Sequence, residues 1–436
     1  MKPNVATPKV SNWREEVNRF EKALEERHRE QQREEMKEYL EALDRQASKE
    51  LLERGGYENK GLVKRTILSC VGKVRIRVHH YKHRNGHSVY PMKDQYGIGR
   101  ETERARERCI RLAIERSYGW SAETLGEEFG MKLSRMRLWK IVQEEGRREQ
   151  ARIEQERQRI FETAHEGSSA RPARRAIIQM DGTMIASRER TAQDEFGRQR
   201  IEVKLGVLFR GTAAVSPRRR MTCERTVYAR IADVDSFGEQ WYSQCRRAGL
   251  GNEDLIHFLA DGGPWIRTTR QAMFPGSQYT LDLYHLKRNA HGVLPQRQAK
   301  QFLSLVMTGL AETAIDYLEH IKPMDERHAQ ELQQFRNYVK DNREGLRYRR
   351  GQLNGSGVIE KMADLVVKKR MKRQGMRWSQ AGANNCRRHG FATSCSASST
   401  PECSSKPTFA NNKPDLFPPL IWMQPSIYDE CSPIAR

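Results

Sequence analysis

Two short phrases place a carboxylate where an apolar run stops. In RRAIIQMDGTMI, residues 174–185, the run 176–180 ends on Asp181 and Gly182 follows. In HFLADGGPWIRTT, residues 257–269, the run 257–260 ends on Asp261, and two glycines, a proline and Trp265 come next. A single Asp-Gly after a strand is ordinary turn chemistry, because Asp bonds its own backbone and Gly accepts positive φ. Two of them put two carboxylates where strands give way to loops, the place where active-site groups collect. A third acid, Glu360, falls in the first turns of a helix expected within NGSGVIEKMADLVVKKRMKRQGMRWS, residues 354–379. Asn354 or Ser356 would cap that helix, and it would run to about Gln374. Alone, Glu360 reads as compensation of the helix dipole. Together, three carboxylates on rigid elements can converge on divalent cations such as Mg2+, which prefer oxygen ligands. Two such ions can activate an attacking oxygen and stabilise a leaving oxygen in phosphoryl transfer.

Such a centre needs a polyanion to act on. The chain has 436 residues and a formal net charge of +22, which favours a nucleic acid as partner. Its length suits roughly two or three domains. The eight cysteines form no C-x-x-C pair, so neither a zinc pattern nor a secreted disulfide framework is expected. No signal-like leader and no apolar run of membrane-spanning length is seen, so a soluble, cytoplasmic chain with no membrane partner is expected.

The elements that would carry the charge come first in the chain. Residues 12–55 read as a charged helix, with Trp13, Val17, Phe20 and Leu24 at three- and four-residue steps, serving as a solvated or partner-binding arm. In residues 72–91, Val74, Ile76 and Val78 alternate with Arg75, Arg77 and His79, and Asn85-Gly86 signals a hairpin turn. His79, His80, His83 and His87 lack an organised ligand set, so a basic hairpin against DNA or another domain is preferred to a metal site. Residues 117–143 have helix–turn–helix form. Ser121 would cap a first helix, Gly130 would allow the turn, and Ser134 would cap a second helix over 135–143. That second helix would bury Leu138, Ile141 and Val142 and present Arg135, Arg137 and Lys140 to DNA.

From residue 173 the pattern changes. Strands are expected at 176–180, 201–209 and 226–231, with a loop at 218–220 between the last two. A helix at 236–248, a strand at 255–260, a short helix at 265–273 and a strand at 278–283 follow, and His285 would open another helix. Residues 297–345 look wholly helical. The order implies an α/β fold, a mixed sheet flanked by helices. Lys368, Lys369, Arg370, Lys372, Arg373 and Arg377 follow Glu360 and are expected to contact phosphates, while Trp378 is expected to pack beneath its helix.

The phrases QMDGT, LADGGPWI, LDLYHLKRN and GSGVIEKMADLVVKKRMKRQGMRWSQAGA, in this order, resemble the DDE transposases of bacterial insertion sequences. The nearest likeness is to the Kra-type and Lre-type group allied to Mutator-like elements, and it spans roughly residues 60–385. The resemblance implies a ribonuclease-H-like catalytic core with a helical insertion. It carries the catalytic metal-ligand roles onto Asp181, Asp261 and Glu360, with two Mg2+ or Mn2+ ions. It ranks Asp364, four positions beyond Glu360, below it. It also supplies a D-x-x-H phrase, here Asp282 and His285, as accessory residues; His285 would orient phosphate or DNA, or cap its helix. The implied partners are double-stranded DNA, as element ends and target, and further copies of the chain on that DNA, with the bacterial nucleoid as the place of action. A catalytically silent DNA-binding regulator, or a metal nuclease without strand transfer, are the alternatives.

These readings divide the chain into a charged helical arm (1–60), a basic hairpin with the helix–turn–helix (61–150), a helical linker (151–172), a catalytic domain with an insertion at about 290–350 (173–385), and a tail (386–436). The tail departs from the resemblance. It is rich in Cys and Pro and loses the helix period, so it is expected to be largely disordered and shifted out of its ancestral frame, with the copy inactive as one consequence.

Overall fold

The apolar steps near the N-terminus do form one helix, α1 (Trp13–Glu53). The computed structural model describes residues 13–162, 173–190, 197–216, 219–348, 354–373 and 375–386. Only the first part of α1 is the exposed arm expected, with Trp13, Val17 and Phe20 open to solvent. Its second part is not. Leu40, Ala47 and Leu51 are buried, and Leu40 shares an apolar core with Ile67, Val74, Ile76 and Val78. The last four belong to β1 (Tyr57–Ser69) and β2 (Gly72–His83). Alternation along β2 holds as read, and the Asn85-Gly86 turn returns the chain as β3 (Ser88–Val89), with Tyr81 opposite Val89. The longer antiparallel partner of β2 is β1, paired from Ser69 opposite Gly72 to Tyr57 opposite His83 with a register shift between Asn59 and Leu62.

Four helices follow: α2 (Pro91–Tyr96), α3 (Glu103–Ala113), α4 (Tyr118–Phe129) and α5 (Arg135–Glu162). Cys109, Leu125, Leu138 and Ile141 form the core of the last three. The helix–turn–helix pair is therefore α4 and α5, with two corrections. Ser117, not Ser121, caps α4 by accepting the Trp120 N–H at 3.3 Å, and the buried Ser121 hydroxyl donates to the Leu112 carbonyl at 3.1 Å. Ser134 caps α5 through the Arg137 N–H at 3.1 Å, but α5 does not stop at Gln143. It continues as one helix of 28 residues to Glu162, covering the start of the expected helical linker, and packs on the core, where Arg157 meets Glu239 at 2.9 Å; residues 163–172 lie outside the described residues.

The core is built from β4 (Arg175–Ala186), β5 (Arg200–Phe209), β6 (Gly211–Ser216), β7 (Arg219–Cys223), β8 (Thr226–Arg230), α6 (Val234–Arg247), β9 (Leu255–Ala260), α7 (Pro264–Met273) and β10 (Gln278–Leu281). Five strands form a mixed sheet in the order β10-β9-β4-β5-β8. The β4–β5 and β5–β8 pairs are antiparallel, and the β4–β9 and β9–β10 pairs are parallel. β6 and β7 pair as a separate ribbon where a loop was expected. One sheet face buries Ile178, Met180, Leu208 and Phe258 under Phe237 and Trp241 of α6 and Ile266 of α7. Gly206 makes this possible, since a Cβ there would stand 2.5 Å from the Trp241 ring.

Four helices follow β10 where a helical stretch was expected: α8 (Leu283–Val293), α9 (Gln296–Met307), α10 (Ala311–Glu319) and α11 (Glu326–Asp341). They have their own apolar cluster of Leu286, Phe302, Leu318, Leu332 and Phe335. The second sheet face, with Ile185, Val203, Leu205 and Val207, is covered by Ile359, Met362 and Val367. These come from α12 (Gly357–Met362) and a π-helical turn, Ala363–Lys368, that leads into α13 (Lys369–Met371). The helix expected to reach Gln374 thus ends at Met371, and Ser356 stands at its start without a side-chain cap bond. α14 (Gln380–Asn385) closes the described chain. The expected tail, from residue 387 onward, lies outside the described residues. Cys386 is buried, and its sulfur takes the Tyr118 hydroxyl at 3.3 Å. Among the described residues no helix is long and apolar enough to cross a membrane.

Candidate active site

The strand register answers why two apolar runs end on carboxylates. β4 and β9 lie side by side and parallel, and their last paired residues are Met180 and Ala260. Asp181 and Asp261 are the next residues on the two neighbouring strands. Beyond that point the strands part. β4 does not turn at Asp181-Gly182, as the sequence suggested; it continues to Ala186, pairing Asp181 with Leu205 and Gly182 with Lys204. β9 does stop. Gly262 has φ +86, and a Cβ on it would be 2.8 Å from both Leu281 and Asn342, so only glycine fits this turn. Asp261 is held across the turn by the Gly263 N–H at 3.0 Å, and its carbonyl accepts the Tyr338 hydroxyl at 2.8 Å.

Glu360 approaches from the helix that covers the second sheet face, close enough for its charge to act on the Asp181 carboxyl. Gln179, two residues before Asp181 and therefore on the same strand face, is fully buried. Its amide oxygen accepts the Ile359 N–H at 2.9 Å and its amide nitrogen donates to the Gly355 carbonyl at 3.3 Å. This fixes the first turn of α12 over β4. Asp282 holds α12 a second time. It is completely buried, caps α8 by accepting the His285 N–H at 2.9 Å, and accepts the Ser356 N–H with its other oxygen. Asp282, rather than His285, is the helix cap, and both its oxygens serve backbone donors. His285 projects to Glu360, with Nε2 and the carboxylate 3.7 Å apart. Glu360 is half-exposed at 51%. Asp364 is exposed and paired with Lys368 at 2.8 Å.

The electrostatics tie the acids together. The Asp181 carboxyl is pushed up to about 6, chiefly by burial, then by Asp261 and more weakly by Glu360, against the opposing Gly182 N–H and His285. Lys372 is pulled below the usual lysine range by burial and by Lys368 and Arg200, while Asp181 and Asp364 oppose that shift. Lys368, Lys369 and Lys372 are exposed.

Other basic residues expected to touch DNA are used inside the protein. Arg370 is buried, donates to the Ala113 carbonyl at 3.1 Å, and stands over the rings of Tyr118 and Trp378. Arg373 donates to the Glu115 carbonyl at 2.9 Å. Both residues fasten the region after α12 to the helix–turn–helix bundle. Arg137 is paired with Glu101 and, at 3.6 Å, with Glu144. Arg135 and Lys140 are exposed as expected. Arg377 donates to the Ser187 carbonyl at 3.0 Å, and Trp378, partly buried, packs against the apolar cluster under the helix as expected.

The profile of one protein family matches residues 10–393, most of the chain. The chain belongs to UPF0236, an uncharacterised protein family. No curated protein matches it. The UPF0236 match takes in the basic hairpin, the helix–turn–helix and all three acids, so these parts belong to one family unit.

Among the described residues no three His, Cys, Asp or Glu side chains are already gathered closely enough to hold an ion. The donor chemistry nevertheless fits a hard divalent cation. All three donors are carboxylates, and their mutual repulsion at Asp181 is what a cation would relieve. Glu360 is the most exposed of the three.

Without a cation the raised Asp181 carboxyl, set chiefly by burial and then by Asp261, makes stability depend on pH. Native Asp181 keeps its proton to about 6, whereas an unfolded Asp releases it near about 4. Between those values the native state binds more protons, so stability falls as pH rises and levels off above the upper value. Asp181→Asn is expected to flatten that slope and to be more stable than the parent at pH 7 by on the order of 2 kcal/mol. Urea unfolding in EDTA across this range checks it; an unchanged slope in the variant would remove Asp181 as the source.

Proposed function

We propose that this UPF0236 chain is a DDE transposase of a bacterial insertion sequence, cutting and joining DNA strands by divalent-metal-dependent phosphoryl transfer. The observation that carries the reading is the parallel register that sets Asp181 and Asp261 side by side, with Glu360 close enough for its charge to push the Asp181 carboxyl up. The sheet order supports it too. Three antiparallel strands followed by two parallel ones, with the first strand central, suit a ribonuclease-H-like core.

Asp181, Asp261 and Glu360 would hold Mg2+ or Mn2+, which supplies an activated attacking oxygen and charge neutralisation at the leaving oxygen. The chain's own groups do the rest. Asp181 stands on β4 and Asp261 on the hydrogen-bonded turn directly after the neighbouring β9, so their spacing is set before DNA arrives. Glu360 stands half-exposed beside them, with His285 in contact with its carboxylate. Lys368, Lys369 and Lys372 flank the acids as phosphate contacts. Arg135 and Lys140 on α5 offer charge to element-end DNA, while Arg370 and Arg373 fasten the region after α12 to the helix–turn–helix bundle and Arg137 is paired within that bundle.

The full chain, incubated with supercoiled DNA bearing the element ends and Mg2+ or Mn2+, is expected to nick the DNA and to join a precleaved end to target DNA. Binding without nicking would make it a silent regulator. Nicking without joining would make it a nuclease.

A further inference from the structure

A second site lies in the N-terminal region, apart from the carboxylates. A cavity of about 790 Å3 opens between β1, β2, the segment after α2 and the start of α5. That is the size of a small-molecule site. Its floor is apolar, with Ile67, Val78 and Met92 buried. Its rim is cationic. Lys64, Lys93 and Arg100 are exposed there, and among the described residues none has a carboxylate in ion-pair contact. Tyr90 forms part of the wall, with the Arg65 guanidinium 4.3 Å over its ring. The acid Glu101 also lines it, but Arg106 and Arg137 already neutralise that carboxylate.

Asp44 is the residue that local packing leaves unexplained. It lines the cavity from α1 and is 1% exposed. Its Oδ2 accepts the His79 N–H at 2.8 Å and meets His79 Nδ1 at 2.6 Å. Its Oδ1 is buried and has no hydrogen-bond partner. A buried acceptor left unpaired is costly, and a donor brought by a ligand would satisfy it. The site therefore asks for a flat or apolar body, one hydrogen-bond donor at the deep end and a negative group at the rim.

We propose that this cavity takes one nucleotide whose base carries an exocyclic amine. The base lies on the apolar floor beside Tyr90, the amine donates to Asp44 Oδ1, and the phosphate meets Lys64, Lys93 and Arg100. The same chemistry comes from two sources, a free nucleotide or an unpaired nucleotide of bound DNA. Neither source needs the carboxylate centre to be catalytic.

The test uses the full chain and two pairs of probes. Calorimetry compares AMP with IMP, which has a carbonyl in place of the amine. Anisotropy compares a labelled duplex carrying one unpaired adenine with the same duplex carrying an abasic position. At least a tenfold preference is expected in one pair: AMP over IMP for a free nucleotide, or unpaired adenine over the abasic duplex for a DNA nucleotide. Asp44→Asn and Ile98→Trp, the latter filling the cavity from a half-buried position on its lining, should each abolish that preference. Thermal melting shows whether each variant is folded, and Ile98→Trp decides alone if Asp44→Asn is not. Equal binding within both pairs overturns the proposal, as does a preference that survives Ile98→Trp.

Discussion

Replacing Asp181 or Asp261 by Asn, or Glu360 by Gln, is expected to lower metal-dependent strand cleavage by about a thousandfold or more, with the fold and the affinity for DNA kept. The amides match the acids in shape. An Asn at position 261 still accepts the Gly263 N–H, and the Tyr338 bond goes to a backbone carbonyl that the substitution does not touch. What is lost is negative charge at a point where three carboxylates act on one another. Asp364→Asn is the matched control. It lies one turn from Glu360, is paired with Lys368, and should cleave like the parent. A triple variant that cuts DNA as fast as the parent in Mg2+ would remove these residues from the chemistry.

Asp282→Ala is expected to be the most damaging single change outside the three acids. One buried carboxylate joins the starts of two helices, accepting the His285 N–H of α8 and the Ser356 N–H just before α12. Removing it strands two donors and frees the helix that carries Glu360. A loss of about 3–5 kcal/mol is expected. The cleavage rate should fall as well, because Glu360 and His285 no longer share a fixed frame. Asp282→Asn should cost less, since its amide oxygen still accepts one of the two bonds. Urea unfolding with an unchanged slope against denaturant gives the number, and a change within about 1 kcal/mol for the alanine variant would show that α12 is held by other contacts.

The sheet class and the helical stretch between Asp261 and Glu360 were legible because they rest on strong local signals: apolar runs and a sustained helical period. Asp181-Gly182 was misread for a physical reason. Turn propensity is local, whereas β5 pairs with β4 through both residues and carries the strand on to Ala186. At Asp261 the same dipeptide does turn, because Gly262 is squeezed against Leu281 and Asn342. Charge was the other source of error. Arg137, Arg370 and Arg373 resemble DNA contacts in the sequence, but their partners Glu101, Ala113 and Glu115 lie far away along the chain. Ser121 offered a plausible cap because nothing local shows that the Leu112 carbonyl would take its hydroxyl. Gln179 could have been found: a polar residue inside an apolar strand, two places before an acid, needs a partner, and it has two on the approach to Glu360.

The joint action of Asp181, Asp261 and Glu360 on a divalent cation is tested most directly by calorimetric titration of Mn2+ into the parent and the triple Asn/Asn/Gln variant, both shown to be folded. Saturable binding by the parent, lost in the variant and weakened by each single substitution, is the expected result. Equal Mn2+ binding by parent and triple variant would contradict it.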